Sequence, residues 1–239
     1  MSKVTIGLDI AKSVFHLVFM NQSGRVLRKK KLRRHQMLSY FSQLEPCIVV
    51  MEACGSCHYW CRELTKAGHE VKAIAPQYVV AYRKGNKHVY NDAEAIAEAS
   101  QREGMRFVPF KSQDQQDIQL MHRIRERMIA QQTALSNQIR GLLSEYGIVY
   151  ARGVATLVKE LPLTLEEADN GLSMLARRQF QGLLNDLREL REHIKEMDKE
   201  LKAFSQSQPV CECLMSMTGI GPLIATALYA GIGQGQAFN

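Results

Sequence analysis

Near residue 110 the hydrophobic pattern changes period, and that change limits what the chain can fold into. Before it, short apolar runs alternate with turn-forming residues, as strands and short helices do. After it, apolar residues recur every three or four positions through long polar stretches, as in amphipathic helices. A sheet-building segment is therefore expected to precede a helix-packing one. At 46% hydrophobic and 23% charged residues over 239 positions, the chain has enough apolar material to bury a core in each.

In the first segment, residues 4–10, 13–20 and 25–32 read as three strands joined by tight turns, an antiparallel meander. A helix is expected around 36–43, and a fully apolar strand over 47–51 ends at Glu52. A helix over 57–67 is closed by Gly68, and a buried strand follows at 71–74. Pro76 suits the first position of a short helix. Residues 92–102 read as helix and 106–109 as a last strand. Three antiparallel strands followed by alternating helices and strands predict an α/β domain with a mixed sheet, in the order found in ribonuclease-H-like domains.

In the second segment a long helix is expected over 114–146, with Met121, Met128, Leu135 and Leu142 at heptad spacing and Ile118, Ile139 and Tyr146 as partners. Gly147 stops it. A second long helix spans about 172–204, where Leu183, Leu187, Leu190, Ile194, Met197 and Leu201 alternate steps of four and three. The pair predicts an antiparallel helical hairpin, through which the chain is also expected to form a homo-oligomer. Further on, Thr218-Gly219-Ile220-Gly221-Pro222 lies between two apolar stretches. This is the pattern of a helix-hairpin-helix turn, in which the backbone N–H groups of Gly219 and Gly221 would face a phosphate. The chain then ends in a glycine-rich run with nothing to pack on the last apolar helix, as expected of a segment cut from a longer one. The expected divisions are 1–110, 111–207 and 208–239.

Net charge is +7 and pI about 9.1. Much of the excess sits in one place, because Arg25, Arg28, Lys29, Lys30, Lys31, Arg33 and Arg34 fall within ten residues. Such a cluster is expected to meet a polyanion. Cys54-Gly-Ser-Cys57-His58 formally matches a haem attachment motif, and Cys54, Cys57, His58 and Cys61 could be offered to zinc. With no secretory signal before them, reduced cysteines of a cytoplasmic protein, packed in a core, are the expectation. The stretch after Glu212 has no charged residue, but Gly219, Gly221 and Pro222 break it and no membrane span is expected.

Two acids stand where acids are costly. Asp9 lies in the first apolar strand and Glu52 ends another. A carboxylate there needs a positive partner. A hard divalent cation, magnesium or manganese, is one that oxygen ligands suit. Asp92 begins a helix, where an acid is also at home as a first-turn residue. Together the three suggest a two-metal site for phosphoryl transfer.

The segments Gly7-Leu-Asp9-Ile-Ala-Lys12, Met51-Glu52-Ala-Cys-Gly-Ser56, Gly85-Asn-Lys87, Asn91-Asp-Ala-Glu-Ala-Ile96 and the run over 131–147 together resemble the DEDD-type insertion-sequence transposases, relatives of the pilin-gene invertases. The resemblance covers essentially the whole chain. It implies a ribonuclease-H-like catalytic domain, a coiled coil, and a C-terminal domain supplying a serine nucleophile. It also implies Mg2+ or Mn2+ held by acids, DNA ends and target as substrate, and a structured guide RNA. Asp9, Glu52 and Asp92 take the places of three of the family's four acids. Val89 stands where the remaining one is expected, and Glu94, two residues past Asp92, points from a different helix face. No serine of this chain falls in the family's serine motif. The implied activity is metal-dependent DNA strand cleavage and transfer, impaired in this chain. A nucleic-acid-binding remnant or regulator without catalysis is the alternative.

Overall fold

A computed structural model describes residues 4–83, 89–233 and 235, the side chain of Val89 excepted. The Gly85-Asn-Lys87 motif and the Val89 side chain lie outside the described residues. The chain divides into two compact units, the first running to Ser112 and the second spanning Gln113–Gln234.

The first unit is the α/β domain that the pattern predicts. Its strands are β1 (Thr5–Asp9), β2 (Val14–Met20), β3 (Val26–Arg33), β4 (Ile48–Glu52), β5 (Glu70–Ile74) and β6 (Phe107–Val108). They form one sheet in the order β3-β2-β1-β4-β5-β6. β1, β2 and β3 are an antiparallel meander; β4 pairs parallel with both β1 and β5, and β6 closes the edge antiparallel. The helices are α1 (Met37–Ser42), α2 (Cys57–Lys66), α3 (Pro76–Val80) and α4 (Val89–Ser100). Thus α4 begins three residues before the acid expected to open it.

Strand alternation divides the core. Ile6, Leu8, Phe15, Leu17, Val49 and Met51 turn to the face that α1 and α2 cover with Met37, Phe41, Trp60 and Leu64. In α2 the buried residues Cys57, Trp60, Cys61 and Leu64 follow helical spacing, and Gly68, at φ +90°, ends it. Val50 and Ile74 turn to the opposite face and meet Val79 of α3 and Ala95, Ile96 and Ala99 of α4.

The second unit contains α5 (Gln113–Ser144), α6 (Val154–Glu166), α7 (Met174–Ser207), α8 (Pro209–Met215) and α9 (Pro222–Ile232). α5 and α7 run antiparallel: Ile118 packs with Leu201, and Arg125 bonds Asp198. The expected two-helix hairpin has a third member. α6 inserts Leu157 and Leu161 among Ile139, Leu143, Phe180, Leu184 and Leu187, all buried. Arg177 fixes the end of α6 by donating to the Leu165 carbonyl at 2.6 Å and to Asn170 Oδ1 at 2.7 Å. Much of the expected seam is buried as predicted, at Ile118, Ile139, Leu187 and Leu201, and it departs from expectation where α6 packs. Leu143 is buried where Leu142 was expected, Leu184 where Leu183 was, and Leu142 and Tyr146 are exposed.

Both units carry a histidine held neutral. His58 Nδ1 accepts the Lys111 backbone N–H at 3.1 Å, and burial, then Lys111 and Arg62, push its pKa below 6.5. His122 shares a 3.0 Å hydrogen bond with Thr226 of α9, and burial, then Arg125, lower its pKa too. The unfolded chain takes up these protons near the ordinary value while the folded chain resists them. Stability is therefore full above that value and falls as pH drops from it toward the lowered folded values. Thermal melts at about pH 7.5 and about pH 5 should show a lower midpoint in acid, and His58→Asn with His122→Asn should reduce the difference.

Candidate acid site and basic strand

Asp9 and Glu52 end neighbouring parallel strands. Leu8 pairs with Met51, so the two acids are the next residues along. Asp9 shares the parity of Gly7 and Glu52 that of Val50, and both of those residues turn toward α4. Both carboxylates therefore belong to the α4 face. The Cys54 thiol lies close to both: burial, then Cys57, Glu52 and Asp9, push its pKa up to about 11. The Cys54 backbone N–H returns to the Glu52 carbonyl at 2.8 Å, and Ser56, at φ +71°, turns the chain into α2.

α4 reaches this end of the sheet because Gly7 lets it. A Cβ at Gly7 would lie 2.0 Å from the Ala93 carbonyl oxygen and 2.8 Å from Ala97 Cβ. The helix runs opposite to β1. Its first turn places Tyr90 against His16, the partner of Asp9, with ring centroids 5.0 Å apart. Its far end places Gln101 on Asn21, beyond the start of β1. Asp92 is on the buried stripe with Ala95, Ile96 and Ala99, only 8% exposed, at the end of α4 nearest Asp9 and Glu52. Its carboxylate is in ion-pair contact with Arg83, Nε to Oδ1 2.5 Å, without the alignment of a hydrogen bond. Among the described residues no three His, Cys, Asp or Glu side chains are gathered closely enough to hold a metal ion. Asp9 and Glu52 thus stand at adjacent strand ends, while Asp92 lies on the buried stripe of α4 in contact with Arg83. Sequence reading missed Arg83, His16 and Tyr90, since none stands in a motif that marks an acid site.

The basic run forms the sheet edge, and alternation sorts it. Arg28 and Lys30 turn to the α1 face, where Arg28 donates to Tyr40 Oη at 2.7 Å and Lys30 sits 4.0 Å from the Tyr40 ring centre. Lys29, Lys31 and Arg33 turn to the α4 face, where Lys29 pairs with Glu94 at 2.9 Å. Lys31 pairs with His16, and His16 with Asp9, so one row across three strands joins a basic side chain to the acid pair. Arg34 lies over Trp60, 5.3 Å from the ring centre, and Arg25 is exposed beside the Asn21 turn. The seven cations therefore do not form one patch.

Gly219 and Gly221 lie in the turn between α8 and α9. Gly219 has φ +91°, where a side chain would be strained, while Gly221 caps α9 at φ −92°. Cys211, Ala225, Tyr229 and Ile220 pack beneath the turn. Cys47, Cys57, Cys61 and Cys211 are buried; Cys54 and Cys213 are exposed residues, the Cys54 thiol itself partly covered. Among the described residues no helix is long and apolar enough to cross a membrane.

A mixed sheet with this strand order, and with acids at the ends of its parallel pair, defines unit one as ribonuclease-H-like in architecture. A family profile described as a transposase matches residues 6–148. A probable family 20 transposase of Pseudomonas aeruginosa is 40% identical over 235 residues, which cover 98% of this chain and 70% of the relative. The transposase for insertion sequence element IS1111A of Coxiella burnetii is 40% identical over 234 residues, 98% of this chain and 64% of that protein. The transposase for element IS1328 of Yersinia enterocolitica is 34% identical, over 98% of this chain and 69% of its own. The chain belongs to the IS110 family of DEDD-type insertion-sequence transposases.

Proposed function

We propose that this chain acts on DNA in the transposition of an insertion sequence, cutting and transferring strands at a divalent cation held by Asp9 and Glu52, with Asp92 as a third ligand. The observation that carries this reading is the pair of carboxylates at adjacent strand ends on the face that α4 covers. Their donor chemistry suits Mg2+ or Mn2+, two hard anionic oxygens from neighbouring backbones. When bound, such an ion would polarise the scissile phosphate and sharpen the attacking oxygen. The protein's own part is positional: Lys31 and Arg33 hold phosphates along the row leading to Asp9, and α4 walls the opposite side. Exposed Arg25, together with Arg28, Lys29, Lys30 and Arg34, adds sequence-independent attraction, and the α8–α9 turn offers backbone N–H groups of Gly219 and Gly221 to a further phosphate. A guide RNA belongs to this reading by family resemblance, and assembly through the α5–α7 pair by the heptad spacing of its apolar residues.

A second reading, a nucleic-acid-binding regulator with little catalysis, is favoured by one observation. Asp92 is committed to Arg83, and position 89 carries valine, which has no oxygen to give. The two readings separate in a cleavage assay on supercoiled DNA with Mn2+. The catalytic reading expects Asp9→Asn and Glu52→Gln each to reduce nicking by about 100-fold or more, and Val89→Asp to raise it. Nicking that survives loss of both acids, or DNA binding without any acid-dependent nicking, decides for the regulator.

A further inference from the structure

On the α1 face, away from the acids, an open groove of about 670 Å3 is lined by Lys30 of β3 and by His35, Gln36, Ser39, Tyr40 and Gln43. No carboxylate lines it. His35, Ser39 and Gln43 recur every four residues, so they share one side of the wall, and all three are exposed. Gln36 Oε1 accepts the Arg33 N–H at 2.8 Å, which leaves its amide N–H groups as donors. Tyr40 organises the cations. Its hydroxyl accepts a hydrogen bond from Arg28 at 2.7 Å, and Lys30 Nζ sits 4.0 Å from its ring centre. The Arg28 guanidinium also lies 4.0 Å from the Phe19 ring centre. Ring contacts hold a cation in place without neutralising it. Among the described residues neither Arg28 nor Lys30 has an ion-pair partner, whereas Lys29 on the other face is paired with Glu94.

Fixed, unneutralised cations beside hydroxyl and amide donors, with no acid among them, are complementary to a polyanion. Arg28 and Lys30 stand two residues apart on one side of a strand, about 7 Å from each other, and a nucleic-acid backbone offers a row of charges to meet them. A single strand is held by bases stacked on open rings, but the Tyr40 ring already has Lys30 against it. The backbone of a duplex is the better fit. We propose that this groove is a DNA site of its own, holding the phosphate backbone of a duplex on the face opposite the acids and independently of the row that leads from Lys31 to Asp9. The proposal rests on the reading that the chain acts on DNA. It adds that DNA is gripped on both sides of the sheet edge, and that the α1 side, which has no acid in its groove, holds DNA without cutting it.

The test is fluorescence anisotropy of a labelled DNA duplex titrated with the chain over a range of salt, in EDTA so that nothing is cut. Lys30→Gln should lower the log–log salt slope by about 0.9, the value of one phosphate contact, and Lys30→Arg should keep it. Lys31→Gln should lower the slope by a similar amount, and the double variant should lose both, because the two contacts lie on opposite faces and share no partner. Ser39→Glu, an exposed change that puts a carboxylate into the groove, should weaken binding about tenfold at low salt without disturbing the fold. A slope unchanged in Lys30→Gln, or an affinity unchanged in Ser39→Glu, would overturn the groove; if Lys31→Gln still lowers the slope, the reading of the acid face stands without it. No binding of duplex DNA by the wild-type chain would overturn both. Tighter binding of single-stranded DNA or of duplex RNA, lost equally in Ser39→Glu, would overturn the assignment to duplex DNA.

Discussion

Gly7→Ala is expected to unfold the first unit or leave it several kcal/mol less stable, roughly 3 kcal/mol or more. The added methyl would sit 2.0 Å from the Ala93 carbonyl oxygen, a backbone atom that no rotamer change can remove. Relief requires α4 to lift from β1. Lifting it exposes Ala95, Ile96 and Ala99 and draws Asp92 away from the strand ends. Stability and metal binding should fall together, measured by urea unfolding and by Mn2+ titration of whatever fraction folds. Normal stability in Gly7→Ala would mean that α4 does not approach β1 as closely as described. Gly55 is the control, because a Cβ there meets nothing within 4 Å.

The second large effect is expected in the helical unit. Leu161→Ala should cost about 2–5 kcal/mol, the range for a fully buried leucine in a core that relaxes only partly. Leu157 and Leu161 are both inaccessible to solvent among residues of α5 and α7. If α6 were an accessory lying on a two-helix hairpin, the loss would be under about 1 kcal/mol. Chemical denaturation followed by far-ultraviolet circular dichroism distinguishes the outcomes. Leu163→Ala, at a position 66% exposed on the same helix, should be nearly silent.

Period carried most of the first unit. Runs such as 4–10 and 47–51 are too short for helices and too apolar for loops, so their strands were legible, as were the glycine stops. The strand-end positions of Asp9 and Glu52 were legible for the same reason, since a carboxylate in an apolar strand stands out. Arg83 was not, because its significance lies in what it meets and nothing in its neighbourhood says which acid that is. α6 was hidden by Gly153, Pro162 and Gly171, which break any long pattern between the heptad stretches. Pro162 is tolerated inside the helix, whose weakened end is tied down by Arg177. Where α6 takes its place in the core, Leu143 and Leu184 are buried beside the expected Leu142 and Leu183, while Ile118, Ile139, Leu187 and Leu201 are buried as predicted.

The basic run showed the opposite limit. Adjacent charges in sequence looked like one patch, yet a strand sends neighbours to opposite sides. Between Phe19 and Met20 the β2–β3 register shifts: Phe19 faces Arg28 but Met20 faces Val26, leaving Leu27 as the extra residue. Had the pairing set at the hairpin turn continued unshifted, every side chain from Arg28 onward would have changed sides relative to β2. Lys31 and Arg33 would then stand over α1, and Arg28 and Lys30 beside the acids. A single surplus leucine thus acts as the switch that assigns each cation its side, and the polarity of the whole sheet edge depends on a residue with no charge of its own.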